Sequence, residues 1–487
     1  MRSNFCEAAY HQQPTRRTFL KTCGSALAAS SALTLPALQA QGNQQPPNIV
    51  MILVDDLGWT DVACYGSQLY ETPHIDRLAQ QGMRFTQGYA ACTVCSPTRA
   101  SILTGQYPAR LHITDWIAGH PYPHAKLQVP KFNYMLPHER ITIAEALSPL
   151  GYASASIGKW HLGGENFYPP SQGFDQNIAG TARGMPPSYF SPYRIPTLED
   201  GPEGENLTDR MAAEAVQFIE DNAGQPFFLY LPLFAVHTPI QGKQNLAEYY
   251  RGKIKPGMEQ RNAEYAAMIH TVDQAVGSVM KALDDQGVAD NTLVVFTGDN
   301  GGLIPVTSNL PLRAGKGSAY EGGVRVPFIV RWPDQVAPGS LSHKPVISAD
   351  LMPTILEATG ASQPQGEPID GVSLMPELTH EGNIERDTLY WHYPHYHPGG
   401  ATPHSAIRQG DYKLIHFYED DHVELYDLAN DIGESYNLAD AKPQLRDQML
   451  SRLQQHLEAV NAQMPKPNPN YDPDRADKRG PYNNPWG

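Results

Sequence analysis

The chain of 487 residues is 41% hydrophobic and carries 25 tyrosines, which suits a large packed α/β domain with a smaller companion and excludes a disordered or fibrous chain. Its formal net charge of −15 sets it apart from nucleic-acid binders, which present a basic face. An anionic substrate is still allowed, because a few local cations outweigh a distant net charge.

In chain order, residues 1–40 come first and read as a signal segment. Thr15-Arg16-Arg17-Thr18-Phe19-Leu20-Lys21 is basic with paired arginines, and an Ala/Ser/Leu-rich run from Gly24 to Leu38 leads to small residues near Ala40. The run is too short for a stable membrane-spanning helix. It resembles a twin-arginine signal, which predicts export to the periplasm or beyond and a mature protein with no membrane span. Of the five cysteines, Cys6 and Cys23 fall in this segment, leaving Cys64, Cys92 and Cys95. An odd number of cysteines in an exported protein points to a thiol with another fate.

Asn48–Val54 is a continuous apolar run, the pattern of a strand buried on both faces of a parallel sheet, and it stops at Asp55-Asp56. Similar runs occur at Phe227–Leu231, Leu293–Phe296 and Phe328–Val330, the second of these leading into Asp299-Asn300-Gly301. Between them the spacing of Tyr265, Met268, Ile269, Val272, Val276, Val279, Met280 and Leu283 predicts a helix stopped by Gly287. Such alternation predicts an α/β/α sandwich, in which ligands sit outside the carboxyl ends of the strands. An Asp after a strand commonly just caps a helix or makes a turn. Three carboxylates and an amide on one edge, with glycines following, favour an oxygen-liganded cation such as Ca²⁺ or Mg²⁺.

After the first strand comes Ala91-Cys92-Thr93-Val94-Cys95-Ser96-Pro97-Thr98-Arg99-Ala100. Ser96 followed by Pro97 reads as a helix N-cap and first helical position, so Cys95 would face the free amides of a helix start, with Arg99 near the same end. The spacing of Cys92 and Cys95 also fits a redox pair, and a buried inert thiol is the ordinary fate of a lone cysteine. Trp116, His120 and His124 cluster soon afterwards. Further on, Lys159 and His161 stand two apart between glycines, which gives them one side of an extended segment.

After about residue 375 the pattern changes. Trp391-His392-Tyr393-Pro394-His395-Tyr396-His397 suits a sugar-pocket wall as well as it suits a packed aromatic turn. Strand-like pieces at Tyr412–Phe417 and Val423–Tyr426 and a helix near Gln444–Val460 predict a small α+β subdomain over 376–464, behind a main domain of 41–375. Residues 465–487, rich in Pro, Asn and Asp, read as an extended tail.

Cys95-Ser96-Pro97-Thr98-Arg99-Ala100, with Leu103-Thr104-Gly105 behind it, resembles the C-x-P-x-R signature of type I sulfatases, members of the alkaline-phosphatase-like superfamily. Asp55-Asp56-Leu57-Gly58, Gly158-Lys159-Trp160-His161-Leu162-Gly163, His237-Thr238-Pro239, Asp299-Asn300-Gly301 and Gly315-Lys316-Gly317 are similar to the family's other blocks, so the likeness runs from about Asn48 to Leu438. It implies an alkaline-phosphatase-like α/β/α sandwich and an arylsulfatase-type or carbohydrate sulfatase. It further implies that a separate maturing enzyme oxidises Cys95 to Cα-formylglycine (3-oxoalanine). Hydrated to a geminal diol, that aldehyde would offer one hydroxyl to attack sulfur and another to expel sulfate.

By the same resemblance Asp55, Asp56, Asp299, Asn300 and residue 95 hold one calcium ion. Arg99 and Lys159 steady the diol, and Lys159 and Lys316 contact the sulfate. His161 handles a proton during release, and His237 donates to the leaving oxygen. Trp116, His392, His395 and His397 are candidates for the wall around a sulfated sugar; an aryl sulfate is the other expected substrate. A phosphonate monoesterase or phosphodiesterase of the same superfamily is the rival enzyme, and a non-catalytic glycan-binding protein the alternative if Cys95 is never matured.

Overall fold

The computed structural model describes residues 46–482 and 486. The signal segment, with Cys6 and Cys23, lies outside the described residues.

An eight-stranded sheet organises the chain. Its strands are β1 (Asn48–Val54), β2 (Met83–Phe85), β3 (Ala153–Ile157), β4 (Gln176–Ile178), β5 (Phe227–Pro232), β6 (Thr292–Gly298), β7 (Phe328–Arg331) and β8 (Ser340–Ser342). They lie in the order β8-β2-β7-β6-β1-β5-β3-β4. β1 pairs in parallel with both β5 and β6, so it sits at the centre. Its seven residues are all buried because both faces are covered. Val50, Ile52 and Val54 pack on one side, and Ile49, Met51 and Leu53 on the other.

The first side carries helices α1 (Pro73–Gln81), α3 (Leu207–Asn222) and α4 (Ala263–Asp285). The second carries α2 (Cys95–Thr104) and α5 (Leu351–Thr359). The result is the expected α/β/α sandwich. The α4 periodicity reads through as a 23-residue helix, followed by Gly287 in the left-handed region at φ 67°.

β7 departs from the all-parallel expectation: it runs antiparallel to β6 and to β2. A parallel strand needs a crossover to carry the chain back to the opposite edge. Between β6 and β7 the only helix is the four-residue Glu321–Val324. Residues 299–327 therefore stay at the carboxyl edge, and this is how Lys316 comes to lie there.

A second sheet of four antiparallel strands, β9 (Thr388–Tyr393), β10 (His404–Gln409), β11 (Tyr412–Phe417) and β12 (His422–Asp427), is backed by α6 (Pro443–Ala459). Its other face meets the main body through Leu389, Trp391, Ala406 and Ile415 against Tyr89 and Tyr107. After α6, Lys466–Pro467 pairs antiparallel with Leu127–Gln128. No helix among the described residues is long and apolar enough to cross a membrane.

Candidate active site

Four neighbouring strands, β6, β1, β5 and β3, deliver polar residues from their carboxyl ends, the edge where open parallel sheets bind ligands. β1 delivers Asp55 and Asp56, β6 delivers Asp299 and Asn300, β3 leads to Lys159 and His161, and β5 to His237. All but His237 are at most 1% exposed. Backbone bonds extend the sheet past its strands: Asp55 N donates to Ala235 O at 2.9 Å, and Lys159 N to Pro232 O at 2.7 Å. That close approach requires Gly158, at φ 127°, where a Cβ would meet Pro232 O at 2.1 Å.

The acids do not satisfy one another. Asp299 Oδ1 accepts from Asp56 N at 3.1 Å and its Oδ2 from Arg99 Nε at 2.9 Å. Asn300 Nδ2 donates to Asp56 Oδ1 at 2.8 Å, which turns its own Oδ1 away. Asp55 Oδ1, Asp56 Oδ2 and Asn300 Oδ1 are left buried with no hydrogen-bond partner. Burial, together with the neighbouring Asp299, pushes the Asp55 carboxyl up to about 8, against the pull of Lys159 and Arg99. Burial alone would raise Asp56 too, but Lys316, His237 and Asn300 together hold it below the ordinary carboxylate range. Three buried oxygens without donors are what a hard cation requires, so the residues present fit calcium or magnesium. Candidate ligand atoms of Asp55, Asp56, Cys95 and His237 lie within 4.8 Å of one another. His237, expected from sequence as a proton donor, thus lies beside the candidate metal ligands.

Cys95 is the first residue of α2, a helix whose ten residues are all buried. The expected register is corrected here: Val94, extended at φ −143°, is the N-cap rather than Ser96, and Pro97 is the third helical residue. Proline is still accommodated, because the first four helical amides have no partner within the helix. Ser96 Oγ is engaged elsewhere, accepting from Ile117 N at 3.2 Å. Gly105 closes the helix at φ 68° as expected. Burial raises the Cys95 thiol despite Lys159 and Lys316, and burial pushes Cys92 up to about 12. Cys64, Cys92 and Cys95 are all free.

Three cations face the three acids. Arg99 Nη2 lies 2.8 Å from Asp299 Oδ2, and its Nη1 donates to Lys159 O at 2.8 Å. Lys159 Nζ is 2.6 Å from Asp55 Oδ2, and Lys316 Nζ is 2.6 Å from Asp56 Oδ1. Burial lowers the lysine of residue 316, but Asp56, residue 95 and Asp55 more than reverse this and hold it charged. His161 Nε2 donates to Ile117 O at 2.5 Å, leaving Nδ1 buried and unpartnered. His237 Nδ1 donates to Thr238 O at 2.9 Å and turns Nε2 towards Asp56, 3.7 Å away. Burial, then Lys316, push His237 down to about 3, and burial with Lys159 holds His161 well below the usual histidine range.

Cys95, His161, His237 and Lys316 line one cleft of about 730 Å³. Trp116 and His397 line it too, as the sequence suggested, along with His120. His397 is brought in by Gly317, at φ 86°, where a Cβ would meet the imidazole Nδ1 at 2.2 Å. His392 and His395 are not brought to the cleft. His392 is buried between Ser405 Oγ at 2.6 Å and Gln463 O at 2.9 Å, and His395 bonds Thr114 Oγ1 at 2.8 Å. Arg479 and Tyr482, from the stretch read only as a tail, also line the cleft. Nothing periodic marks them in the sequence.

Known proteins resemble this chain over most of its length. The family model described as Sulfatase matches residues 47–361, and the one described as N-sulphoglucosamine sulphohydrolase, C-terminal, matches residues 315–463. A protein named Sulfatase from Formosa agariphila is 35% identical over 82% of this chain and 85% of its own length. Arylsulfatase A of Homo sapiens is 33% identical, covering 90% and 92%. A solved structure of Ps i-CgsB in complex with k-i-k-neocarrahexaose superposes with a TM-score of 0.73 at 30% identity, over 88% of this chain and 95% of that one.

Proposed function

Because this chain belongs to the sulfatase family and is a sulfuric ester hydrolase, we propose that it acts on a sulfated carbohydrate after export, with Cys95 matured to formylglycine as nucleophile and one calcium ion held by Asp55, Asp56, Asp299, Asn300 and residue 95. The observation that carries this reading is the trio of unpartnered buried oxygens on Asp55, Asp56 and Asn300, directly beside the start of α2. Bound there, calcium supplies Lewis-acid polarisation of a sulfate oxygen and favours an ionised nucleophile. The hydrated aldehyde would supply one hydroxyl for attack on sulfur and a second whose loss of a proton re-forms the aldehyde and expels sulfate from the first.

The chain's own residues set up both steps. Asp55, Asp56 and Asp299 are balanced by Arg99, Lys159 and Lys316, so a divalent cation leaves the site net positive and selects an anionic ester. Lys159 and Lys316 then oppose the charge that builds on the sulfate oxygens. Arg99, tied to Asp299 and to the Lys159 carbonyl, holds the start of α2 against the β6 end. His161, with Nε2 fixed on Ile117 O, presents Nδ1 as a proton acceptor for the release step. His237 is neutral at rest, and the negative charge of a bound sulfate ester raises its affinity for the proton that it gives to the leaving oxygen. A buried thiol whose pKa is raised is a poor nucleophile, which favours the matured residue over cysteine itself.

The test is turnover by matured enzyme of sulfate esters and phosphodiesters that share a leaving group, with calcium and after chelation. Faster sulfate turnover, lost on chelation and restored by calcium, is expected. Faster phosphodiester cleavage would move the protein to the rival activity.

A further inference from the structure

We propose that the C-terminal tail builds a second subsite of the cleft, in which Arg479 takes an additional anionic group, sulfate or carboxylate, on the sugar next to the one being desulfated, while Tyr482 contacts that sugar's ring. The proposal rests on the carbohydrate reading above.

Residues 466–482 of the tail are held in place. The tail runs against residues 121–134: Asn468 N donates to Lys126 O at 3.1 Å, Asp472 N to His124 O at 3.1 Å and Gly480 N to Pro121 O at 2.8 Å. Asn468 Nδ2 adds a bond to Ala125 O at 2.7 Å. Beyond Tyr482, Trp486 Nε1 donates to Tyr134 O at 3.1 Å. Anchors on both sides of 479–482 lower the entropy cost of presenting these side chains to a ligand.

What the tail presents is matched to an anionic sugar. Tyr482 stacks on Trp116 at 6.0 Å and 17°, and lies 5.3 Å from His120, yet remains 48% exposed. An aromatic surface that is half open beside a polar one is what a sugar ring uses. Arg479 is exposed on the cleft wall and has no carboxylate partner among the described residues. The adjacent Lys478, by contrast, pairs with Asp477 at 3.2 Å. Arg183, likewise exposed and without an ion pair, lines the same cleft. Unpaired cations beside a site that consumes an anion focus a polyanion into it.

The test uses the full chain carrying Cys95→Ala, so that no probe is consumed, with binding measured by calorimetry. Sucrose octasulfate is the polyanionic probe and galactose 6-sulfate the single-sulfate probe. Arg479→Ala is expected to weaken the octasulfate roughly ten-fold or more and to flatten its salt dependence, leaving galactose 6-sulfate within about two-fold. Arg479→Lys recovers part of the loss, and Tyr482→Ala also weakens the octasulfate selectively. Equal weakening of both probes, no change in either, or an equal loss from Lys478→Ala would overturn the subsite. Aryl sulfate turnover by the matured parent separates the two readings. If the parent turns over no sulfate ester, the function fails whatever the binding shows. If it does and Arg479→Ala changes no binding, the subsite alone fails.

Discussion

At the scale of single residues, chemistry legible in the sequence was carried by position at the ends of apolar runs. Asp55, Asp56, Asp299 and Asn300 follow β1 and β6, and once those runs are strands of one sheet their side chains share an edge. The histidines in and just after β9 were less legible. Which residue of His392, His395 and His397 reaches the cleft depends on cross-strand partners and on the Gly317 approach, none of which is written locally. Arg99 is the residue whose role is most geometric. Its planar fork meets Asp299 and the Lys159 carbonyl together, which a lysine ammonium at the same position cannot do. Arg99→Lys keeps the charge but leaves a buried acceptor unpaired, at a cost of roughly 1–3 kcal/mol. Thermal melting should show that loss together with reduced turnover; an unchanged melting temperature and rate would refute the clamp.

Among elements, long apolar strands and the α4 helix were readable, whereas β3 and β10 were not. β3 reads Ala-Ser-Ala-Ser-Ile, small residues with no apolar run, and is recruited by parallel pairing to β5 rather than by its own pattern. The antiparallel sense of β7 depends on the missing crossover helix, and the path of the tail depends on partners more than three hundred residues away. One contact between elements makes a pH prediction. Asp115 Oδ1 accepts from Tyr393 OH and from Trp116 N, each at 2.9 Å, joining the cleft wall to β9. Burial pushes its carboxyl up to about 8, outweighing both hydrogen bonds. A carboxyl raised in the folded state binds its proton more tightly there than in the unfolded chain. Its stabilisation is therefore complete below the unfolded chain's value of 3.8 and is lost as pH rises towards about 8. Asp115→Asn removes this titration. Melting temperatures of variant and parent should lie closest near pH 4 and diverge in the variant's favour up to pH 8; a constant difference would contradict the assignment.

At the scale of the whole molecule, a sandwich gathers three acids and three cations at one sheet edge, and the segment just after the small sheet's first strand and the tail line the cleft beside it. If export takes the folded chain, residue 95 must be modified first, because α2 is entirely buried once the sandwich forms. The central claim is that Cys95 is an aldehyde precursor and not a working thiol. The most direct measurement is the mass of the peptide spanning residues 85–99 from exported enzyme that is turning over a sulfate ester. Formylglycine at residue 95, with Cys92 as an unmodified thiol, is the predicted result. An intact Cys95 thiol in fully active enzyme would contradict the account.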